Sequence, residues 1–175
     1  CNSACYCFRA SLGVIDQKGI IKNNSMQNYT AKIDGSQLFF DNKLKLDMGM
    51  FGSKKESRYV NDYQKTFYSA ASFNPTLPVI QNADGTWPED PNANEVDNPL
   101  GRLTINDRED NAYFSTNGRL TWTINDNLNF IAFGSYTYNS KENTNYIPTN
   151  IKQGIREGKG KAPGKSISSE SMQLF

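Results

Sequence analysis

Residues 111–139 read "NAYFSTNGRLTWTINDNLNFIAFGSYTYN", two alternating arms on either side of Asn125, Asp126 and Asn127. In the first arm Ala112, Phe114, Thr116, Gly118, Leu120, Trp122 and Ile124 share one face. Leu128, Phe130, Ala132, Gly134, Tyr136 and Tyr138 continue that face in the second arm. Such alternation specifies strands, because successive strand side chains point to opposite faces. Each arm is also much longer than the usual strand of about five or six residues. The pattern therefore demands a hairpin with one long apolar face, and what covers that face decides the fold.

Three more strands show the same period. The first is expected from Ala4 to Ile15, with Tyr6, Phe8, Ala10, Leu12 and Val14 on its apolar side. Cys5 and Cys7 fall on the other side with Arg9 and Ser11. A second runs from Met26 to Phe39, where Tyr29, Ala31 and Ile33 oppose Thr30, Lys32 and Asp34. A third starts at Lys43, with Leu44, Leu46, Met48 and Met50 opposing Lys45 and Asp47, and fades into the polar "SKKESRY". A last strand begins near Ser166, which brings the expected count to about six. The chain opens on Cys1 and closes while alternation is resuming in "SSESMQLF", so a piece of a longer protein is expected.

Strand length and turn asymmetry narrow the architecture. Thirteen residues at roughly 3.3 Å each, tilted by about 45°, rise about 30 Å, enough to cross a hydrocarbon layer. The turns at "FDNK" and "INDNL" are tight, whereas residues 61–110 and 139–165 form long connections on the opposite side. Short turns at one end and long loops at the other are the outer-membrane barrel pattern, with the long loops extracellular. The expected fold is all-β: antiparallel up-and-down strands forming part of a transmembrane β-barrel. A soluble β-barrel that binds a small ligand is the alternative, with its apolar face turned inward. Lys32, Asp34, Lys43, Lys45, Asp47 and Arg119 on the polar face suit a wet interior better.

Other function classes find little support. Nineteen basic and eighteen acidic residues leave a net charge of +1, so no bulk field draws nucleic acid. The chain has no His, and its three Cys (Cys1, Cys5 and Cys7) lack a second cluster to complete a tetrahedral metal site. No nucleophile elbow or phosphate-binding glycine loop is present, so neither an enzyme nor a cofactor is expected. Glu89, Asp90, Glu95 and Asp97 lack EF-hand spacing and read as a solvated loop. "YQKTFYSAA" reads as a short helix within the first long connection, and "EGKGKAPGK" as a flexible outer loop.

"FRASLGVIDQKGIIKNNS", residues 8–25, resembles a barrel segment of SusC/RagA-type TonB-dependent outer-membrane transporters. "FDNKLKLDMGMFGS", "FNPTLPVIQNADGTW", "NPLGRLTINDRED" and the hairpin at 111–138 are similar to later segments of that family, in the same order. "CNSACYC", and Gln27 and Asn28 before Tyr29, depart from it. The resemblance implies nutrient import, of oligosaccharide or peptide, through a barrel of about twenty-two strands holding an N-terminal plug. It also implies a SusD-like surface lipoprotein and the TonB complex as partners, the latter reached through a plug domain absent from these residues. The lipid is that of the Gram-negative outer membrane. Trp87, Arg102 and Arg108 are the expected cargo contacts, because an aromatic stacks on a sugar face and Arg donors reach hydroxyls or carboxylates.

Overall fold

A computed structural model describes residues 6–78, 80–157 and 164–174. Cys1, Cys5, the expected strand start at Ala4 and residues 158–163 of "EGKGKAPGK" lie outside the described residues. Six strands follow one another in a single antiparallel sheet, in the order β1-β2-β3-β4-β5-β6. They are β1 (Tyr6–Lys18), β2 (Ser25–Phe39), β3 (Leu44–Tyr59), β4 (Asn106–Asn125), β5 (Leu128–Tyr146) and β6 (Gly164–Leu174). The sheet is unclosed, and β1 and β6 form its two edges.

The ladders place every alternating face on the same side. Phe8 opposes Gly35, Gly35 opposes Met48, Met48 opposes Gly118, and Gly134 continues the row to Leu174. Leu44, Trp122 and Phe130 form another such row near the tight turns, and Gly52, Phe114 and Tyr138 one nearer the long connections. On the opposite face Arg9 faces Asp34 and Asp47 faces Arg119. Lys32–Asp34 and Lys45–Asp47 ion pairs lie along β2 and β3 at 3.1 and 3.0 Å. The polar face is not uniformly hydrophilic, since the rings of Phe51 and Tyr113 meet there at 5.9 Å.

Neither face of the sheet holds a hydrophobic core. Among the described residues the buried hydrophobics are Val96, Ile105 and Ile151, all outside the strands. Leu12 is 88% exposed and Phe8 71%, whereas Ser57 on the polar face is 2% exposed. The apolar side chains are the open ones.

The strands outrun their alternation. β3 continues through "SKKESRY" to Tyr59, β4 starts at Asn106, and β5 reaches Tyr146 inside the segment expected as loop from residue 139. Both sides of these extensions are polar, so no contrast marks them in the sequence. They are strands because Lys54–Tyr59 pair residue for residue with Asp107–Ala112, and Lys141–Tyr146 with Asn106–Asn111. The β2–β3 turn runs through three residues at positive φ, Phe40 and Asp41 at 53° and Asn42 at 67°, of which Asp and Asn are the types that tolerate it. In the β4–β5 turn the Asn127 N–H donates to Asn125 Oδ1 at 3.1 Å, beside a register shift after Thr123. Asn125→Ala removes this acceptor and should cost about 1 kcal/mol. Amide exchange should then speed up at Asn127 and Leu128 first, with β1 unaffected.

Candidate functional site

The long connections fold together at the end of the sheet away from the tight turns. The first carries helix α1 (Tyr63–Ser72) and a single-turn helix α2 (Pro99–Arg102); the second carries α3 (Lys152–Glu157). The helix expected at "YQKTFYSAA" is α1. Its N-cap is Asp62, whose carboxylate accepts from the Lys65 N–H at 3.1 Å. α2 follows from "NPLGR": Pro99 presets φ at the first position, and Asn98 Oδ1 accepts from the Leu100 and Gly101 N–H groups at 2.9 and 3.2 Å.

Arg102 ends α2 and joins all three helices. Its guanidinium donates to Asp97 Oδ2 at 3.0 Å, Gln153 Oε1 at 2.9 Å and Thr66 Oγ at 3.2 Å, and reaches the Asn61 carbonyl at 3.4 Å. Lys65 adds a second cation at 3.5 Å from Asp97 Oδ2. The Arg102 and Asp97 side chains are 1% and 3% exposed. A charge at that depth is tolerable because it is both paired and hydrogen-bonded. Two further bonds fasten the second connection to the first: Asn150 Nδ2 to the Gly85 carbonyl at 2.9 Å and Lys152 Nζ to the Ala93 carbonyl at 3.1 Å.

Above this bracing lies an open cleft of about 450 Å³ between the two connections. Trp87 and Ile155 give it an apolar wall, and Glu89, Asp90, Asn150 and Lys152 a polar rim. The indole is held from behind: a Cβ on Gly101 would stand 3.0 Å from its Cγ and 3.3 Å from Ile151. An aromatic plane beside carboxylates and an amide can stack on one side of a ligand while hydrogen-bonding its edge.

Half of the acidic cluster departs from the solvated loop its spacing suggests, while Glu95 is exposed. Asp97 is buried on Arg102, and Glu89 Oε2 accepts from the Asn98 N–H at 2.9 Å. Burial pushes the Glu89 carboxyl above its ordinary 4.5, helped by the Asp97 charge and opposed by backbone N–H groups of Asn98 and Lys152 and by the Lys152 charge.

The three expected contacts are not brought together. Trp87 lines the cleft, while Arg102 lies buried beneath, its donors committed to protein oxygens. Arg108 projects from β4 on the same face as Phe114 and shares its charge with Glu56 and Asp110 at 3.5 and 3.4 Å. Asp97, Gln153 and Thr66 come from three separate segments, and no sequence pattern links them. The Asn-Pro start of α2, by contrast, is a readable capping signal.

No family model matches the chain. Over 105 residues, 57% of its length, it is 29% identical to the TonB-dependent receptor SusC of Bacteroides thetaiotaomicron. The chain spans about a tenth of the length of that curated relative. The match supports a partial, distant relatedness to such receptors.

Arg102→Met leaves Asp97 buried without its close partner, which should cost about 3–5 kcal/mol. Both connections should then lose protection together in hydrogen exchange while β2 and β3 keep theirs. The raised value of Glu89 means that the folded connections favour its protonated form. Its stabilisation is complete below the ordinary glutamate range and lost as pH rises through the folded value. Glu89→Gln should flatten this dependence and stabilise the connections near neutral pH, read as protease resistance against pH.

Proposed function

We propose that these residues are a segment of the β-barrel of an outer-membrane, TonB-dependent nutrient transporter of the SusC kind, with the long connections outermost. One observation carries the reading: the apolar face is a bounded band whose upper edge runs obliquely across the strands. On β1 the band reaches Val14 before Asp16; on β3 it reaches Gly52 before Lys54; on β6 Met172 is followed by Glu170. Although it returns to the Val14 row on β4, where Ala112 precedes Asp110, by register the edge descends two rows from β1 to β6, over five strand spacings. That is about 13 Å in about 24 Å, roughly 30°, near the strand tilt of a closed barrel.

The band has the right height and rims. The eight steps from Leu44 to Gly52 cover about 27 Å along the strand, or about 23 Å once tilted by roughly 30°. Outer-membrane barrels carry an apolar belt of about 25 Å between aromatic girdles. Trp122 and Phe130 lie at its lower edge, and Tyr29, Phe114 and Tyr138 at its upper one. A soluble barrel needs the apolar face inside, yet here it is the more exposed face. The local match to the SusC receptor favours the same conclusion.

In this reading Lys32, Asp34, Asp47 and Arg119 face a wet lumen, and the rest of the barrel pairs with the edges of β1 and β6. The braced connections contribute the cleft at Trp87 as a contact for oligosaccharide or peptide cargo. Arg102 is the positioning residue beneath it. A SusD-like lipoprotein caps the outer side, and the TonB complex acts through a plug domain elsewhere in the protein.

Met48 lies mid-band. In the full-length chain, Met48→Arg should lower bilayer folding stability by about 2–4 kcal/mol, whereas Ser115→Arg on the opposite face should change it by less than about 1 kcal/mol. Equal penalties, measured by denaturant titration in phospholipid vesicles, would sink the assignment of faces.

A further inference from the structure

Beyond the band, the same outward face carries two rows that its apolar part does not explain. The first is mostly acidic: Asp16, Glu56, Asp110 and Glu142, with Gln27 between. The second is basic: Lys18, Ser25, Arg58 and Arg108 stand opposite one another across four adjacent strands. Strand spacing puts Lys18 and Arg108 about 14 Å apart.

Arg58 and Arg108 are a directly opposed like-charged pair, an arrangement that destabilises a sheet. Arg108 is relieved by Glu56 and Asp110. Glu56 is further shared with Lys54 at 2.7 Å. Among the described residues, neither Lys18 nor Arg58 has an ion pair, and both side chains are exposed. Arg58 also borders a polar hollow of about 260 Å³ with Asn23, Thr104 and Asn106. The one carboxylate in its lining, Asp107, accepts instead from Asn61 and Asn145.

We propose that the row Lys18, Arg58 and Arg108 binds the phosphate groups of an anionic membrane lipid. The inference rests on the barrel reading above, because it takes the apolar band as the level of the acyl chains. Lys18 stands four residues beyond Val14 and Arg58 six beyond Gly52, about 13 and about 20 Å along tilted strands, which places the row outside the hydrocarbon and sloping away from it. Long cationic side chains lean back toward that interface. Arg grips phosphate through two parallel N–H bonds, and the Ser25 hydroxyl between Lys18 and Arg58 can add another donor. The acidic row beneath repels phosphate from the lower level and holds it at the cations. A lipid fits better than a protein partner because the row lies on the face of the band, directly beyond it.

The test uses the full-length chain in nanodiscs of phosphatidylcholine containing a small fraction of lipid A, either phosphorylated or dephosphorylated, with bound lipid counted by native mass spectrometry. The phosphorylated form should be retained about tenfold better. The triple variant Lys18→Gln, Arg58→Gln, Arg108→Gln should lose that preference. Arg58→Gln alone, which breaks no ion pair, should lower it several-fold. A triple variant on the opposite face, Arg9→Gln, Lys32→Gln, Arg119→Gln, removes the same charge and should keep it. Equal retention of both lipids, or full retention by the outward triple variant, overturns the proposal. Displacement by millimolar inorganic phosphate overturns it too, in favour of a free-anion site. A chain that does not enter the bilayer overturns this proposal and the barrel reading together; one that enters without lipid preference overturns this one alone.

Discussion

The sheet has an apolar face that nothing else in the described chain covers. Its hydrophobic side chains are the exposed ones, and the few buried hydrophobics sit in the connections. A sheet of this size in water would have to bury such a face or aggregate through it and its two edges. The ladders nevertheless keep most of the apolar residues on one side across six strands, although Phe51, Tyr113, Ile131 and Phe133 lie on the other. Register is strongly specified only where one face has a distinct environment, since a slip of one residue would turn every side chain over. Lipid outside and a wet lumen inside supply that difference in the reading proposed here.

The connections depend on a different physics. Among the described residues they have three buried hydrophobics and one buried cation, and Arg102 joins segments that are far apart in the chain. A buried ion pair contributes little net stability, but losing either partner is costly. The two connections should therefore behave as one unit, with the Trp87 cleft as rigid as the bracing beneath it. α1 inverts the usual helix pattern: Thr66 and Ser69 are buried, while Tyr63, Phe67 and Tyr68 are exposed. Thr66 on its inner face meets the Arg102 network.

Much of the sheet was legible because period two leaves a strong trace. Tyr6 to Val14, Leu44 to Met50 and Phe114 to Trp122 each declare a strand and its orientation. The trace vanishes where both faces are polar, so "SKKESRY" and the segment from Ser140 to Tyr146 read as loop although neighbouring ladders hold them extended. The cleft was half legible. Trp87 stood out as an aromatic in a loop with no core to fill, and "NPLGR" carried a helix start. Nothing local could announce that Arg102 would turn inward, because its partners Asp97, Thr66 and Gln153 meet only once both connections have folded.

The assignment of faces is tested most directly by nitroxide scanning from Ser115 to Trp122 in the full-length chain, reconstituted in phospholipid bilayers. Accessibility to oxygen, which concentrates in lipid, should peak at Thr116, Gly118, Leu120 and Trp122. Accessibility to a water-soluble nickel chelate should peak at Ser115, Asn117, Arg119 and Thr121. Oxygen maxima at the second set, or no two-residue period in either probe, would contradict the account.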